Sequence, residues 1–148
     1  MPDICRGWPA ALPADEPCGQ GCVMSVKSHY DLVIIGAGPT GLAAAIEASQ
    51  HDFSTLVLDD QPAPGGQVYR HITQNRDQRQ ANSYLGADYW LGADLADEFL
   101  QVSAELLSES RVWQITRDRQ VFFSRQGAAQ KVQAGAVLIA TGAMERPM

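Results

Sequence analysis

The segment from Tyr30 to Ala45, YDLVIIGAGPTGLAAA, carries the strongest signal for the fold of this 148-residue chain. Its continuous apolar run ends abruptly at Gly36, which is typical of a strand buried on both faces of a parallel sheet. Pro39 and the alanines after it predict a helix, because proline fits the first turn and alanine favours helical backbone. A second apolar run, FSTLVLDD, predicts a second strand, and the three elements form a right-handed βαβ unit.

Three glycines in GxGxxG spacing connect the first strand to the helix, and each has a separate purpose. Gly36 permits the tight turn, Gly38 lets a pyrophosphate approach the backbone, and Gly41 allows close packing of helix on strand. The helix that begins near Pro39 offers unpaired N–H groups to phosphates. The spacing predicts a dinucleotide site, and an ordinary glycine turn without a ligand is the alternative.

An acidic residue follows the second strand, where this fingerprint places one. Asp59 comes directly after the last apolar residue, and Asp60 is the neighbouring candidate. A carboxylate there accepts hydrogen bonds from the ribose hydroxyls of the dinucleotide. It also disfavours a 2′-phosphate, so we expect NAD or FAD rather than NADP.

Two small-residue turns favour FAD over NAD. A Gly-Gly pair, Gly65 and Gly66, follows the acid and lets the backbone pass beside the pyrophosphate and flavin side of a long cofactor. The apolar run AVLIATGA closes on Thr141 and Gly142, which form a turn able to pass close to the same cofactor.

The rest of the chain predicts an α/β, Rossmann-like fold with a parallel sheet, helices and a small β-meander. Apolar residues at helical spacing predict a helix over 93–110, with Leu95, Phe99, Val102 and Leu106 on its buried face. Residues 70–93 show no clear period and are expected to be irregular. Alternating runs over 111–127 predict a hairpin or meander, and 131–143 a final buried strand.

Composition excludes several classes of function. The net charge is −6 and the isoelectric point about 4.9, which argues against a nucleic-acid partner because phosphate binding needs a basic surface. No run approaches the roughly 20 apolar residues of a membrane span, and no signal peptide is evident. We expect a cytoplasmic protein, attached to a membrane at most through partners.

The first 29 residues are expected to be a disordered tail, because they hold four of the eight prolines and no periodic apolar pattern. Met24 is a possible true start. All three cysteines, Cys5, Cys18 and Cys22, lie in this segment. An odd number with CxxxC spacing predicts neither a disulfide framework nor a metal site. Residues 30–148 would then form the N-terminal part of an FAD/NAD(P)-binding domain.

The glycine fingerprint with its acid, the PGGQVYR loop and the AVLIATGA end together resemble a known superfamily, and LDDQPAPGGQVYR, YLGADYWLGADLADEF and LIATGAMERPM carry a narrower likeness within it. It is the FAD-dependent, pyridine nucleotide-disulfide oxidoreductase-like superfamily of glutathione reductase and thioredoxin reductase. Within it, the chain is most similar to the large flavin subunit of opine oxidases, D-hydroxyproline dehydrogenases and hydrogen cyanide synthase. The resemblance implies flavin-dependent oxidation of a C–N bond in an amino acid or opine, smaller partner subunits, and electrons passed to an iron–sulfur or respiratory acceptor.

The resemblance also implies which residues contact FAD: Gly36, Gly38, Gly41, Asp59, Gly66, Gln67, Thr141 and Gly142, with the backbone of Val112 against the adenine. It implies no dithiol chemistry, because Val68 follows the GGQ sequence and no cysteine lies beyond Cys22. The sequence does not identify a catalytic residue, since the flavin itself takes the hydride.

Members of the superfamily are several hundred residues long, so we expect these 148 residues to be an N-terminal fragment that is inactive alone. Three hypotheses therefore remain open for function: part of a flavin-dependent amine-oxidising enzyme, a non-catalytic remnant, or a dinucleotide-binding module without turnover.

Overall fold

A computed structural model describes residues 26–75 and 85–143 of the chain. Their helices and strands, in chain order, are β1 (His29–Ile35), α1 (Pro39–Gln50), β2 (Thr55–Leu58), α2 (Ile72–Asn75), α3 (Ala87–Phe99), β3 (Glu105–Leu107), β4 (Ser110–Ile115), β5 (Gln120–Arg125) and β6 (Ala128–Ile139).

The strands form one six-stranded sheet with the order β3-β2-β1-β6-β5-β4. β3, β2, β1 and β6 are parallel neighbours, whereas β4, β5 and β6 pair antiparallel as a meander. The long strand β6 joins the two parts, because its first half pairs with β5 and its second half with β1. The predicted α/β fold with a parallel sheet and a meander is confirmed.

Helices cover one face of the parallel strands and the meander covers the other. On the helical face, side chains of β1 and β2 pack against α1 and α3, and this core includes Ile34, Val57, Leu42, Ala45 and Phe99. On the opposite face they pack against β5, and this core includes Ile35, Leu56, Leu58, Val121 and Phe123. All four residues of β2 are buried, as expected of a strand inside two layers.

The predicted helix over 93–110 is partly wrong. α3 begins earlier, at Ala87, and ends at Phe99, whereas Leu106 lies in β3 and pairs with Val57 of β2. The helical spacing of apolar residues reflects burial on one side of the sheet, because Phe99, Val102 and Leu106 all pack into the core on the helical face. Pairing with β2 satisfies the backbone of β3, and this tertiary contact overrides the local helical period.

The expectation of irregular structure over 70–93 is also wrong in part. α2 and the first turns of α3 fall inside that range, and residues 76–84 lie outside the described residues. Trp90 is the reason that α3 starts early: it is buried with Ile72 and Ala93 in a small core between the two helices. Because the side chains that fill this core come from separate elements, no single period predicts it.

The ordered part of the chain begins before Tyr30. β1 begins at His29, Val26 packs against the core, and Lys27 forms an ion pair with Glu105 at 2.9 Å. The prediction of a disordered tail is therefore wrong for residues 26–29. The rest of that prediction, the possible start at Met24 and the three cysteines lie outside the described residues.

The predicted burial of the final strand holds for only part of it. Val132 and Ala134 of β6 are buried, but Ile139 is 64% exposed. The antiparallel ladder from β5 reaches only Gln133, and beyond that point β6 has β1 as its one strand neighbour among the described residues.

Candidate dinucleotide-binding site

Loops that follow three parallel strands meet at the carboxyl edge of the sheet. The N–H of Ala140, after β6, donates to the carbonyl of Ile35 at 2.8 Å. The N–H of Gly65, in the loop after β2, donates to the carbonyl of Ala37 at 2.8 Å. Backbone hydrogen bonds thus hold the loops after β2 and β6 against the glycine turn after β1. In open α/β sheets, ligands bind at this edge.

Gly36 makes the turn at the end of β1, and no other residue fits there. Its φ is +108°, a backbone conformation that L side chains rarely adopt. A Cβ at this position would also overlap the carbonyl oxygen of Ala140 and lie 3.2 Å from the Cα of Thr141. The small-residue turn that follows β6 is therefore in contact with the glycine turn.

Gly41 lets α1 pack directly on the same turn. A Cβ at Gly41 would overlap the carbonyl oxygen of Gly36 and lie 3.4 Å from Cγ2 of Ile34. The first turn of α1 is consequently fixed against the end of β1. Because its orientation is fixed, the N-terminus of α1 faces the carboxyl edge of the sheet.

Gly38 differs from the other two, because nothing in the described protein requires it to be glycine. Its φ of −76° and ψ of −178° are extended backbone that any residue adopts. A Cβ there would find its nearest neighbour, the Cα of Gly66, at 4.0 Å. Gly66 has φ +60°, and its own Cβ would lie 3.0 Å from the Cα of Gly38. The two bare backbones line a cradle that side chains would fill.

The N-terminus of α1 opens onto this cradle. Gly38 is its N-cap, Pro39 occupies the first turn, no side chain caps the helix, and no acidic residue lies in its first turn. The unpaired N–H groups and the positive end of the helix dipole therefore keep their capacity for an anion. Phosphate groups are the anions that such helix termini bind in dinucleotide folds.

Asp59 is attached to the glycine turn, whereas Asp60 is not. One carboxylate oxygen of Asp59 accepts a hydrogen bond from the N–H of Ala37, and the other accepts from the N–H of Gln61 at 2.7 Å. Asp60 is exposed and accepts from the side-chain amide of Gln61 at 2.9 Å. Of the two acids, Asp59 is the one held beside the cradle.

The other predicted site residues lie on the loops after β2 and β6 and on β4. Gln67 is exposed on the loop directly after Gly66, and Thr141 and Gly142 are exposed after the end of β6. The side chain of Val112 packs into the core beneath the meander, and its backbone lies at an irregularity of the edge strand β4. β4 adjoins the acid through Ser110, whose N–H donates to the carbonyl of Asp59 at 2.8 Å.

Sequence reasoning missed residues that act through their backbone. Ala37 donates its N–H to Asp59 and accepts from Gly65, so it connects two loops of the site. Ala140 connects the third. Alanine in these positions carries no sequence signal, because the groups used are common to every residue.

The chain matches the model of the pyridine nucleotide-disulphide oxidoreductase family over residues 30–148. It belongs to this family, whose members have a flavin-binding fold. It is 46% identical over 131 residues to an opine oxidase subunit of Agrobacterium tumefaciens (strain Ach5), covering 83% of this chain and 26% of that protein. Identity to the corresponding opine oxidase subunit of Rhizobium meliloti is 44%, covering 83% and 24%. The chain thus spans about a quarter of the length of these relatives.

Solved structures show the same fold. L-proline dehydrogenase from P. horikoshii superimposes with a TM-score of 0.63 at 21% identity, covering 81% of this chain and 24% of that one. Thioredoxin reductase from Streptococcus pyogenes superimposes with a TM-score of 0.58 at 27% identity, covering 82% and 38%. Among residues 26–75 and 85–143, no helix is long and apolar enough to cross a membrane.

Proposed function

We propose that this chain provides the FAD-binding N-terminal part of a flavin-dependent enzyme that oxidises the C–N bond of an amino acid or opine. The cradle between Gly38 and Gly66 carries the proposal. Both backbones are bare, and Gly38 is glycine without any conformational or packing requirement from the described protein. A pyrophosphate is a group that such a cradle, facing an uncapped helix terminus, would accommodate.

The residues present fit an extended dinucleotide. The N-terminus of α1 would bind the pyrophosphate, and the carboxylate of Asp59 would accept hydrogen bonds from the ribose hydroxyls. The backbone near Val112 would lie against the adenine. Gln67, Thr141 and Gly142 would contact the flavin half. Bound FAD supplies a two-electron acceptor for a hydride, and the protein supplies position and electrostatics.

The substrate class is proposed from the relatives. The opine oxidase subunits are 46% identical in one species and 44% in another, and L-proline dehydrogenase shares the fold. We extend an amine-bearing substrate to this chain on that basis. Transfer of electrons to an iron–sulfur or respiratory acceptor in a smaller partner protein, and a cytoplasmic location, are further parts of the proposal.

The second candidate is a dinucleotide-binding module or remnant without turnover. The cradle and its neighbours would account for binding by themselves, since the groups there are backbone amides, glycines and the carboxylate of Asp59. Binding by these groups requires no chemical step from the protein. The enzyme and the binding module therefore both predict a bound dinucleotide and differ in whether an amine reduces it.

The test is the visible absorption spectrum and intact mass of the protein purified from its own cells. A flavin spectrum that bleaches under anaerobic conditions on addition of proline or an opine is expected. A flavin spectrum that no amine bleaches would favour the binding module. Absence of flavin from the native protein, with no uptake of added FAD, would contradict the enzyme and the binding module and would favour the remnant.

A further inference from the structure

Charge is distributed unevenly between the two sides of the sheet. The meander, residues 110–131, holds five of the 11 lysines and arginines and a single acid, Asp118. By contrast, α1 and α3 contain acidic residues and no lysine or arginine. Because the helices and the meander cover opposite faces of the parallel strands, the net charge of −6 is the sum of an acidic side and a basic side.

The outer face of the meander combines cations with two aromatic rings. Phe123 and Val132 are buried in the core, so Phe122 and Lys131, which alternate with them and pair across β5 and β6, point outward. Trp113 lies at the register irregularity of β4, and its ring contacts that of Phe122 with centroids 5.4 Å apart. The side chain of Trp113 is 54% exposed. An aromatic pair with a cation beside it therefore faces away from the core.

The cations of the meander are not neutralised by ion pairs with described residues. Neither ion pair found within residues 26–75 and 85–143 includes one of them. Arg111 still has acids near it, because it lines the same surface cavity as Asp60 and Glu109. Three further exposed cations are not part of the lining of that cavity. They are Arg117 and Arg119 in the turn between β4 and β5, and Lys131 in β6.

The shape of this face suits a flat, anionic partner. Short turns, residues 116–119 and 126–127, join its three strands, so no long loop rises between them. A bilayer of anionic lipids presents phosphate charge above an apolar layer and attracts clustered cations. Indole rings favour the headgroup region, because they have an apolar body and a polar N–H. An acidic protein would have to match the face in shape as well as in charge.

The acids of the helices do not cancel this attraction. The meander packs on the parallel strands as a second sheet layer, and such layers lie about 10 Å apart. The helices lie beyond the parallel strands. Their acids are therefore more than one Debye length, about 8 Å at physiological ionic strength, from a surface that touches the meander. The uneven charge would orient the protein with its helices away from the membrane.

We propose that the outer face of the meander binds the surface of an anionic lipid bilayer. Arg117, Arg119 and Lys131 would lie near the lipid phosphates, and Trp113 would lie among the headgroups. The binding is peripheral and uses none of the residues that line the cradle for the pyrophosphate. It adds a membrane surface to the proposed function and does not depend on bound cofactor.

The first test is co-sedimentation of the native protein with phosphatidylcholine vesicles, with and without phosphatidylglycerol. We expect binding only to the vesicles that contain phosphatidylglycerol. Arg117→Gln and Lys131→Gln should each weaken it by about 5-fold, and the double variant by about 25-fold. Arg70→Gln is the charge-matched control, because Arg70 is exposed on the loop after β2, which packs on the helical side through Tyr69. It should bind these vesicles as the wild type does.

The second test uses Trp113 to distinguish a bilayer from an acidic protein. Vesicles that contain phosphatidylglycerol and brominated phosphatidylcholine should quench the tryptophan fluorescence of the wild type. Trp113→Phe should abolish the quenching, whereas Trp90 is buried and should not be quenched. Polyglutamate is the soluble polyanion for comparison. Binding to polyglutamate as tight as to vesicles, without quenching by the brominated lipid, would assign the face to an acidic protein and overturn the proposal.

Two further results would also overturn it. One is equal binding to vesicles with and without phosphatidylglycerol, because the cations would then have no part in it. The other is a double variant, Arg117→Gln with Lys131→Gln, that binds the anionic vesicles as the wild type does. Both measurements are read in the same way whether or not the protein contains flavin, so they are independent of the test of the proposed function.

Discussion

The carboxylate of Asp59, at the end of β2, accepts a hydrogen bond from the backbone N–H of Ala37 in the glycine turn after β1. Its second oxygen accepts from the N–H of Gln61 at 2.7 Å. One side chain thus connects the ends of two parallel strands at the place where the cofactor would bind. The acid has a structural task besides any contact with a ribose, and the two tasks can be separated by mutation.

Asp59→Asn should lower both stability and affinity for FAD. An amide can accept with only one oxygen, so one of the two backbone N–H groups loses its partner, at a cost of about 1–2 kcal/mol in the free energy of unfolding. Urea unfolding measures the stability, and quenching of flavin fluorescence measures the affinity. Asp60→Asn is the control, because Asp60 is exposed and its change should stay within about 0.5 kcal/mol. A larger effect at Asp60 than at Asp59 would contradict the assignment of the acid.

Gly38→Ala should leave the fold intact and impair the cofactor site. The backbone of Gly38 is extended and the nearest protein atom to a new Cβ is 4.0 Å away. Replacement of glycine by alanine at a compatible backbone stabilises by roughly 0.4–1 kcal/mol. The added methyl group nevertheless occupies the cradle, so FAD uptake should fall at least about 10-fold, a factor that corresponds to about 1.4 kcal/mol. Equilibrium dialysis and thermal melting of the same samples check both effects.

Gly41→Ala should give the opposite pattern, with the main loss in stability. A Cβ there would overlap the carbonyl oxygen of Gly36, so α1 must move away from the turn. Such overpacking typically costs about 1–3 kcal/mol. A Gly41→Ala protein as stable as Gly38→Ala would show that α1 is not packed on the turn as described.

Gly92→Ala tests the packing of the loop after β2, which contains Tyr69, against α3. The new methyl group would overlap the ring of Tyr69 and displace the loop, again at a cost of about 1–3 kcal/mol. Its neighbour Leu91 is 58% exposed, so Leu91→Ala is the matched control and should change the free energy of unfolding by less than about 0.5 kcal/mol. Urea unfolding of both variants measures the two changes in stability. Equal stability of the two variants would contradict the close contact between Gly92 and the ring of Tyr69.

We expect Tyr30 to make the free energy of unfolding fall in alkaline solution. Burial raises its pKa, and a hydrogen bond of 2.6 Å to Glu105 raises it further, to about 12 from 10.0. Because the folded pKa lies above the unfolded one, the stabilisation is present below pH 10 and is lost as pH rises towards 12. The free energy of unfolding should therefore fall over that range. Tyr30→Phe should be less stable at neutral pH and show a shallower fall. An equally steep fall in Tyr30→Phe would assign the loss to other groups.

We expect Glu105 to make the free energy of unfolding fall in acid solution. Burial alone would raise the pKa of this carboxyl, but the hydrogen bond from Tyr30 and the ion pair with Lys27 outweigh it and hold the pKa below the ordinary 4.5. Its contribution is therefore present above pH 4.5 and is lost as the pH falls below that value. Acid titration followed by circular dichroism should show Glu105→Gln losing less stability than the wild type over that range. A wild-type curve parallel to that of the variant would contradict the pairing.

The glycine turn, the helix after it and the acid were readable from the sequence, because each depends on local rules. Gly36 needs a positive φ, Pro39 fits a first helical turn, and Asp59 follows directly on an apolar strand. These requirements concern a residue and its immediate neighbours. The meander was predictable for the same reason, since alternation over 111–127 is a local property.

Local sequence thus specifies the βαβ unit, its glycine turn and the class of fold, whereas the packing of the folded chain sets where α3 ends and that Leu106 lies in a strand. Leu106 has the spacing of a helical residue, but it pairs as a strand with Val57, since the open edge of β2 satisfies its backbone. Packing also places Gly38 opposite Gly66 and lets Tyr89 hold Arg70. Such contacts join residues far apart in the chain, and only the assembly of complete elements brings them together.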